Sequence, residues 1–319
     1  MLSRRSFLGT SAATIAVPHV SFASGQLEVV ATTGMIADTA RQIGGDLVNV
    51  TALMGPGVDP HSYRQTRSDI VAMSRADLVL WHGLYLEAQL EDFLLDLGRK
   101  RSVVAVGEAV PQDELISHED YDGRFDPHVW MVPRLWVHVA EAIQATLSEA
   151  APEHTDTFAT NADAYRAELA RLEEYAQSTL HIVPEASRVL VTAHDAFGYL
   201  GRGYGYEVMG VQGISTESEA GLDRIRTLVN TLVEREIGAV FVESSVSDRN
   251  IRALIEGAAA QRHDVKIGGE LFSDAMGTQG SYEGTYIGMI DHNVTTIARA
   301  LGAADVPIGG MNGTLAHAG

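Results

Sequence analysis

Short apolar runs alternate with helical patterns twice along this chain. The first half carries runs at 27–33, 48–54, 77–81 and 102–106, the second at 188–192, 207–211, 239–243 and 265–269. Each is continuous and rich in Val, Ile and Leu, as expected of strands covered on both faces. Between them, three-and-four spacing of apolar residues predicts helices over 36–43, 68–74, 86–97, 222–235 and 251–261. Strand and helix alternating in this way predict an α/β fold of two (β/α)4 lobes, each with a four-stranded, mostly parallel sheet.

The stretch 154–182 breaks that rhythm. Phe158, Ala162, Tyr165, Leu169, Leu172, Ala176 and Thr179 recur along one face, Glu and Arg fill the other, and Pro152 and Pro184 bracket the whole. About 28 residues at 1.5 Å each reach roughly 40 Å, so this helix can run along both lobes as a strut. The expected organisation is a leader at 1–23, an N-terminal lobe at 24–152, a linking helix at 153–183 and a C-terminal lobe at 184–319.

The leader changes the picture of where the protein works. Arg4 and Arg5 precede a weakly apolar stretch, and Ser21-Phe22-Ala23 offers small residues for cleavage. That pattern is a twin-arginine export signal, and its removal takes the formal charge from −19 to about −21. The chain has no cysteine, which excludes disulfides, thiolate metal sites and a thioether lipid anchor on this sequence. A free periplasmic monomer is expected. Its acidity argues against nucleic acid and anionic membranes as partners and mildly favours cationic ligands.

Candidate chemistry gathers just past strand ends, where ligands bind in open α/β sheets. His61 closes the Gly55-Pro56-Gly57-Val58-Asp59-Pro60 loop after the second run. His128 repeats the Asp-Pro-His triplet after the fourth, His194 ends the fifth, and Asp274 follows the last. In each triplet the proline restricts the Asp to extended conformations and so presents the His at a defined angle. Each lobe supplies two of the four, which suits a divalent metal ion held in the cleft between them. Glu243, a carboxylate at a buried strand end, needs a partner, and orienting a ligand imidazole would give it one. Asp195 is a weaker candidate for that task. His82 reads as a buried, hydrogen-bonded residue instead of a ligand.

The segments GPGVDPHSY, DPHVWMVP, TAHDAFGYLGRGYG, VQGISTESEAG, FVESS and GGELFSDAMG resemble the metal-binding extracytoplasmic proteins of zinc and manganese ABC importers, the cluster A-I family, in its TroA-like branch. The likeness spans essentially the whole mature chain. It implies two lobes joined by one rigid helix, one Zn²⁺ or Mn²⁺ ion in the cleft, and delivery to an ABC permease in the inner membrane. By motif match its four ligands fall on His61, His128, His194 and Asp274. Members dedicated to manganese tend to carry Glu where this chain has His194, and the long His-rich loop of dedicated zinc-uptake members is absent. In its place, residues 113–126 hold six acids and only His118. They read as a solvated loop, with weak metal capture as the lesser reading.

A zinc-dependent metallohydrolase is the rival class, because a catalytic zinc keeps three protein ligands and an open position for water. A fourth ligand on offer, with neither His-Glu-x-x-His nor Gly-x-Ser-x-Gly in the chain, weighs against an enzyme.

Overall fold

The computed structural model describes residues 25–117 and 123–313. The expected export signal, His118 and residues 314–319 lie outside them. In the N-terminal lobe, strands β1 (Leu27–Ala31), β2 (Val48–Ala52), β3 (Leu78–Trp81) and β4 (Ser102–Ala105) form one parallel sheet in the order β2-β1-β3-β4. The inner strand β3 is buried at every position, whereas the edge strands β2 and β4 are only partly covered. Helices α1 (Gly34–Gly44), α2 (Arg67–Arg75) and α3 (Glu91–Gly98) cross between strands, and α4 (Pro133–Ala150) follows the sheet. The pattern around His138 reads as helical without set bounds, and α4 is the helix that contains it. The helix expected over 86–97 starts only at Glu91, because Leu84 and Tyr85 take left-handed backbone conformations (φ 52° and 67°) and turn the chain first.

In the C-terminal lobe, β5 (Val189–Thr192) pairs in parallel with β6 (Glu207–Gly210), and β7 (Ala239–Glu243) with β8 (Lys266–Leu271). These are two separate ladders and not the single four-stranded sheet expected. β5 lies beside β7, but no ladder joins them among the described residues, and a register shift at Val240/Phe241 interrupts the β7–β8 pairing. Helices α6 (Gly198–Tyr204), α7 (Leu222–Glu234), α8 (Arg249–Ala260) and α9 (Tyr286–Ala300) complete this lobe.

The long helix is α5 (Thr155–Leu180), 26 residues, and every apolar position expected on its buried face is buried. It packs against α1 and α4 on one side and α9 on the other. One apolar cluster therefore runs without a break from Val29 and Ile36 through Leu169 and Leu172 to Leu190 and Ile297. Polar ties reinforce it across the lobes. Asp38 on α1 accepts from the Tyr286 backbone N–H at the start of α9 (2.9 Å), and the Tyr286 hydroxyl donates to the Trp130 carbonyl (2.8 Å). The Trp130 indole donates to the Ser273 carbonyl (2.8 Å), and Tyr199 donates to that of Asp126 (2.7 Å). The floor of the cleft is thus a packed, hydrogen-bonded core. A wide hinge would have to break it. No helix among the described residues is long and apolar enough to cross a membrane.

Candidate metal centre

All four ligand candidates sit beyond the carboxyl ends of strands: His61 after β2, His128 after β4, His194 two residues past β5, and Asp274 three past β8. The fold brings them together. One ligating atom from each lies within 4.8 Å of all the others, and the four residues are at most 2% exposed. His61 Nε2 is 3.3 Å from His128 Nε2. Asp274 turns Oδ1 toward His128 Nε2 (3.4 Å) and Oδ2 toward His194 Nε2 (3.2 Å). Four ligand atoms bonded to zinc at about 2.0–2.1 Å with tetrahedral angles lie about 3.3–3.4 Å apart, and these three separations are close to that spacing.

Three of these buried atoms, His194 Nε2 and both carboxylate oxygens of Asp274, have no hydrogen-bond partner. Buried polar atoms left unpaired are costly and rare, and a divalent cation at their centre satisfies all three. Because both Asp274 oxygens face the imidazoles, the carboxylate can bind an ion through one oxygen or two. The four side chains together offer four or five donor atoms.

The far side of two rings is held by carboxylates. Glu243, at the end of β7, accepts from the His194 backbone N–H (2.8 Å) through one oxygen and contacts His194 Nδ1 through the other. Its carboxylate thus lies behind the ring that the sequence expects it to orient. Asp126 does the same for His128, with a single oxygen 2.9 Å from the backbone nitrogen and 2.7 Å from Nδ1. Sequence reasoning credited the triplet's proline and missed the carboxylate. The signal was available, since Asp and Asn side chains commonly accept from the backbone N–H two residues on. Asp59 repeats the pattern toward the His61 N–H (2.9 Å).

His82 is buried and donates no ligand. Its Nε2 hydrogen-bonds the Pro127 carbonyl (2.7 Å), fixing the backbone just ahead of His128. Gly107 packs so close to this ring that a Cβ there would meet Nε2 at 2.8 Å.

Electrostatics separates the three imidazoles. Burial pushes His61 down to about 4, so it is neutral and ready to bind at any physiological pH. Burial also disfavours charge on His128, but the Asp126 and Asp274 carboxylates outweigh it and raise the group to about 9. His194 is raised in the same way, with Asp274 and Glu243 overcoming its burial. Burial alone would raise Asp274, yet the His194 and His128 imidazoles hold it well below the usual carboxylate range. Without an ion, the pocket therefore keeps its carboxylate ionised and retains protons where positive charge belongs.

Residues 29–300 match the family described as the periplasmic component A of the zinc-uptake complex, ZnuA. The chain belongs to this family. Among relatives, it is 49% identical over 279 residues to the manganese-binding lipoprotein MntA of Bacillus subtilis, covering 88% of this chain and 91% of that one. It is 44% identical over 279 residues to the zinc-binding protein TroA of Treponema pallidum, covering 88% and 90%. The solved structure of that periplasmic zinc-binding TroA superposes with a TM-score of 0.85 over 87% of this chain and 99% of its own. As a ZnuA-family member, the chain is a metal-binding solute-binding protein of an ABC importer, with the two-lobed fold of that group. The family is one of transport components and lends no support to a metallohydrolase.

Proposed function

We propose that this protein captures one Zn²⁺ or Mn²⁺ ion through His61, His128, His194 and Asp274 and hands it, as a monomer, to an inner-membrane ABC permease. The observation that carries this reading is the set of buried atoms on His194 and Asp274 without a hydrogen-bond partner, converging with two further imidazoles within 4.8 Å. Three neutral nitrogens and one carboxylate suit Zn²⁺, and divalent affinity at such a site rises from Mn²⁺ toward Zn²⁺. One relative is named for manganese and another for zinc, so a carrier that accepts both, with zinc the tighter, fits the group.

Export by the twin-arginine route to a free periplasmic form belongs to the same proposal. Arg4 and Arg5 support the route, and the lack of any cysteine supports the free form, although the Bacillus subtilis relative is named a lipoprotein. The ion enters by displacing protons from His128 and His194. Its charge is then met by Asp274 inside the shell and by Asp126 and Glu243 behind the rings.

Stripping the protein with chelator and titrating Zn²⁺ and Mn²⁺ in competition tests the reading. One equivalent of tight Zn²⁺, weaker Mn²⁺, and loss of both in His194→Ala is the expected result. Unchanged binding in that variant would remove His194 from the site.

A further inference from the structure

The three imidazoles are not held alike. The Nδ1 atoms of His128 and His194 are each held by a buried carboxylate of the same lobe. Among the described residues no carboxylate holds the His61 ring. Its presentation depends on the loop 55–62, and that loop is tied at Asp59. Asp59 Oδ1 accepts from the His61 backbone N–H (2.9 Å), while Oδ2 accepts from the Ser62 hydroxyl (2.8 Å) and from the Thr216 hydroxyl (2.6 Å). Thr216 belongs to the other lobe.

We propose that Thr216 is a positioning residue for metal retention: its hydroxyl, crossing the cleft to Asp59, fixes the loop that presents His61. This rests on the reading of His61 as a ligand. The segment bearing Thr216 is built to hold that hydroxyl in place. It follows β6 and is folded back on itself by Gln212, whose side-chain amide donates to the carbonyls of Thr216 (3.4 Å) and Ser218 (3.1 Å). Its base is secured by the Arg224 guanidinium on the Gly210 carbonyl (2.7 Å). Next along, Glu217 accepts from Gln89 of the N-terminal lobe, a second tie across the same mouth. Ile214 and Ser215 wall a small space beside His61, together with Leu84, Tyr85 and Pro127. The loop leans on the C-terminal lobe elsewhere too. Gly57 turns with φ 70°, and a Cβ there would lie 3.4 Å from the Ser244 carbonyl.

Burial decides which ligand leaves first. The bonds behind His128 and His194 lie in the interior, whereas Asp59 and Thr216 are only half-buried at the cleft margin. Water can replace the Thr216 bond without opening a core. Breaking it frees the His61 loop from the opposite lobe, while His128 and His194 stay held by their carboxylates. The latch therefore sets how fast the ion escapes, with little bearing on whether the empty protein folds.

The test uses the full mature chain, with Thr216→Val to remove the hydroxyl at constant shape and Thr216→Ser to restore it. Zn²⁺ release is timed by stopped flow into excess chelator, Co²⁺ loading reports coordination through its visible absorption, and melting of the apo-protein reports fold. A hydrogen bond to a charged group supports an expected release about tenfold faster in Thr216→Val. Its Co²⁺ spectrum should be altered and its apo melting unchanged, and Thr216→Ser should behave as the unaltered chain. If the unaltered chain binds one Zn²⁺ and Thr216→Val releases it at the same rate, the latch is overturned and the site stands. Faster release with a lowered apo melting point that Ser does not repair also overturns it. An unaltered chain that binds no stoichiometric Zn²⁺ overturns both.

Discussion

Asp126 holds His128 by backbone and ring together, so it fixes both the position of the residue and the direction in which Nε2 points. A ring left free to turn on its side-chain bonds would have to be ordered by the ion itself. Asp126→Ala is therefore expected to weaken Zn²⁺ by roughly 10–100-fold without unfolding the protein, as outer carboxylates behind ligand imidazoles generally do. Glu243→Ala should do the same through His194, and competitive titration measures both. The raised proton affinity of His128 gives a pH signature. With the imidazole at about 9, an ion binding near neutral pH must displace its proton, so Zn²⁺ affinity should climb from pH 6.5 toward 9. Apo stability should run the opposite way. This folded-state value lies above the ordinary 6.5, so its stabilisation is fully present below 6.5 and is lost as pH rises through 9. Thermal melts with and without Zn²⁺ should therefore diverge as pH rises. A metal-induced stabilisation that shrinks over this window would contradict the assignment. All four candidate ligands were legible in the sequence because each follows an apolar run in a repeated or motif-like setting. Asp126 was legible only in part, because the backbone bond is local whereas its bond to the ring depends on a rotamer.

At the scale of elements, α5 carries the lobe-to-lobe connection. Leu172 on its buried face belongs to the apolar cluster shared by both lobes. Leu172→Ala is expected to cost about 2–5 kcal/mol, the usual range for a buried leucine, and to leave a single unfolding transition by calorimetry. Two separated transitions would mean that the lobes are independent and α5 is only a tether. This helix was legible because its apolar stripe faces one way and its other side is charged. By contrast, α9 buries residues on nearly every side, from Tyr286 and Ile287 to Asp291, Asn293 and Thr295, so the pattern around His292 reads as helical but no single stripe sets its bounds. The 133–150 helix did carry a stripe, at Leu135, Trp136, Val139, Ala140, Ile143 and Leu147. That stripe makes the surroundings of His138 read as helical, while the irregular loop before it leaves the start unmarked. The split of the C-terminal sheet had no sequence signal at all. Strands of four or five residues look alike whether or not the neighbouring ladder is continuous.

Across the whole molecule, the tied floor of the cleft sets what metal release can involve. The Asp38–Tyr286, Tyr286–Trp130 and Trp130–Ser273 bonds cross between lobes within the shared core, and Ser273 adjoins Asp274. Apo- and Zn²⁺-loaded protein should therefore give superimposable small-angle scattering, with changes confined to the His61 loop and its neighbours. A clear change in radius of gyration on loading would mean that the core opens. The formal charge of −19 adds a long-range attraction for divalent cations, which high salt should weaken as a rate effect on capture. The proposed site holds one ion among His61, His128, His194 and Asp274. Crystals of the Zn²⁺-loaded protein, measured on both sides of the zinc absorption edge, test it most directly. One strong anomalous peak is expected about 2.0–2.2 Å from the three Nε2 atoms and a carboxylate oxygen of Asp274. A peak elsewhere, or one lacking any of the four, would contradict it.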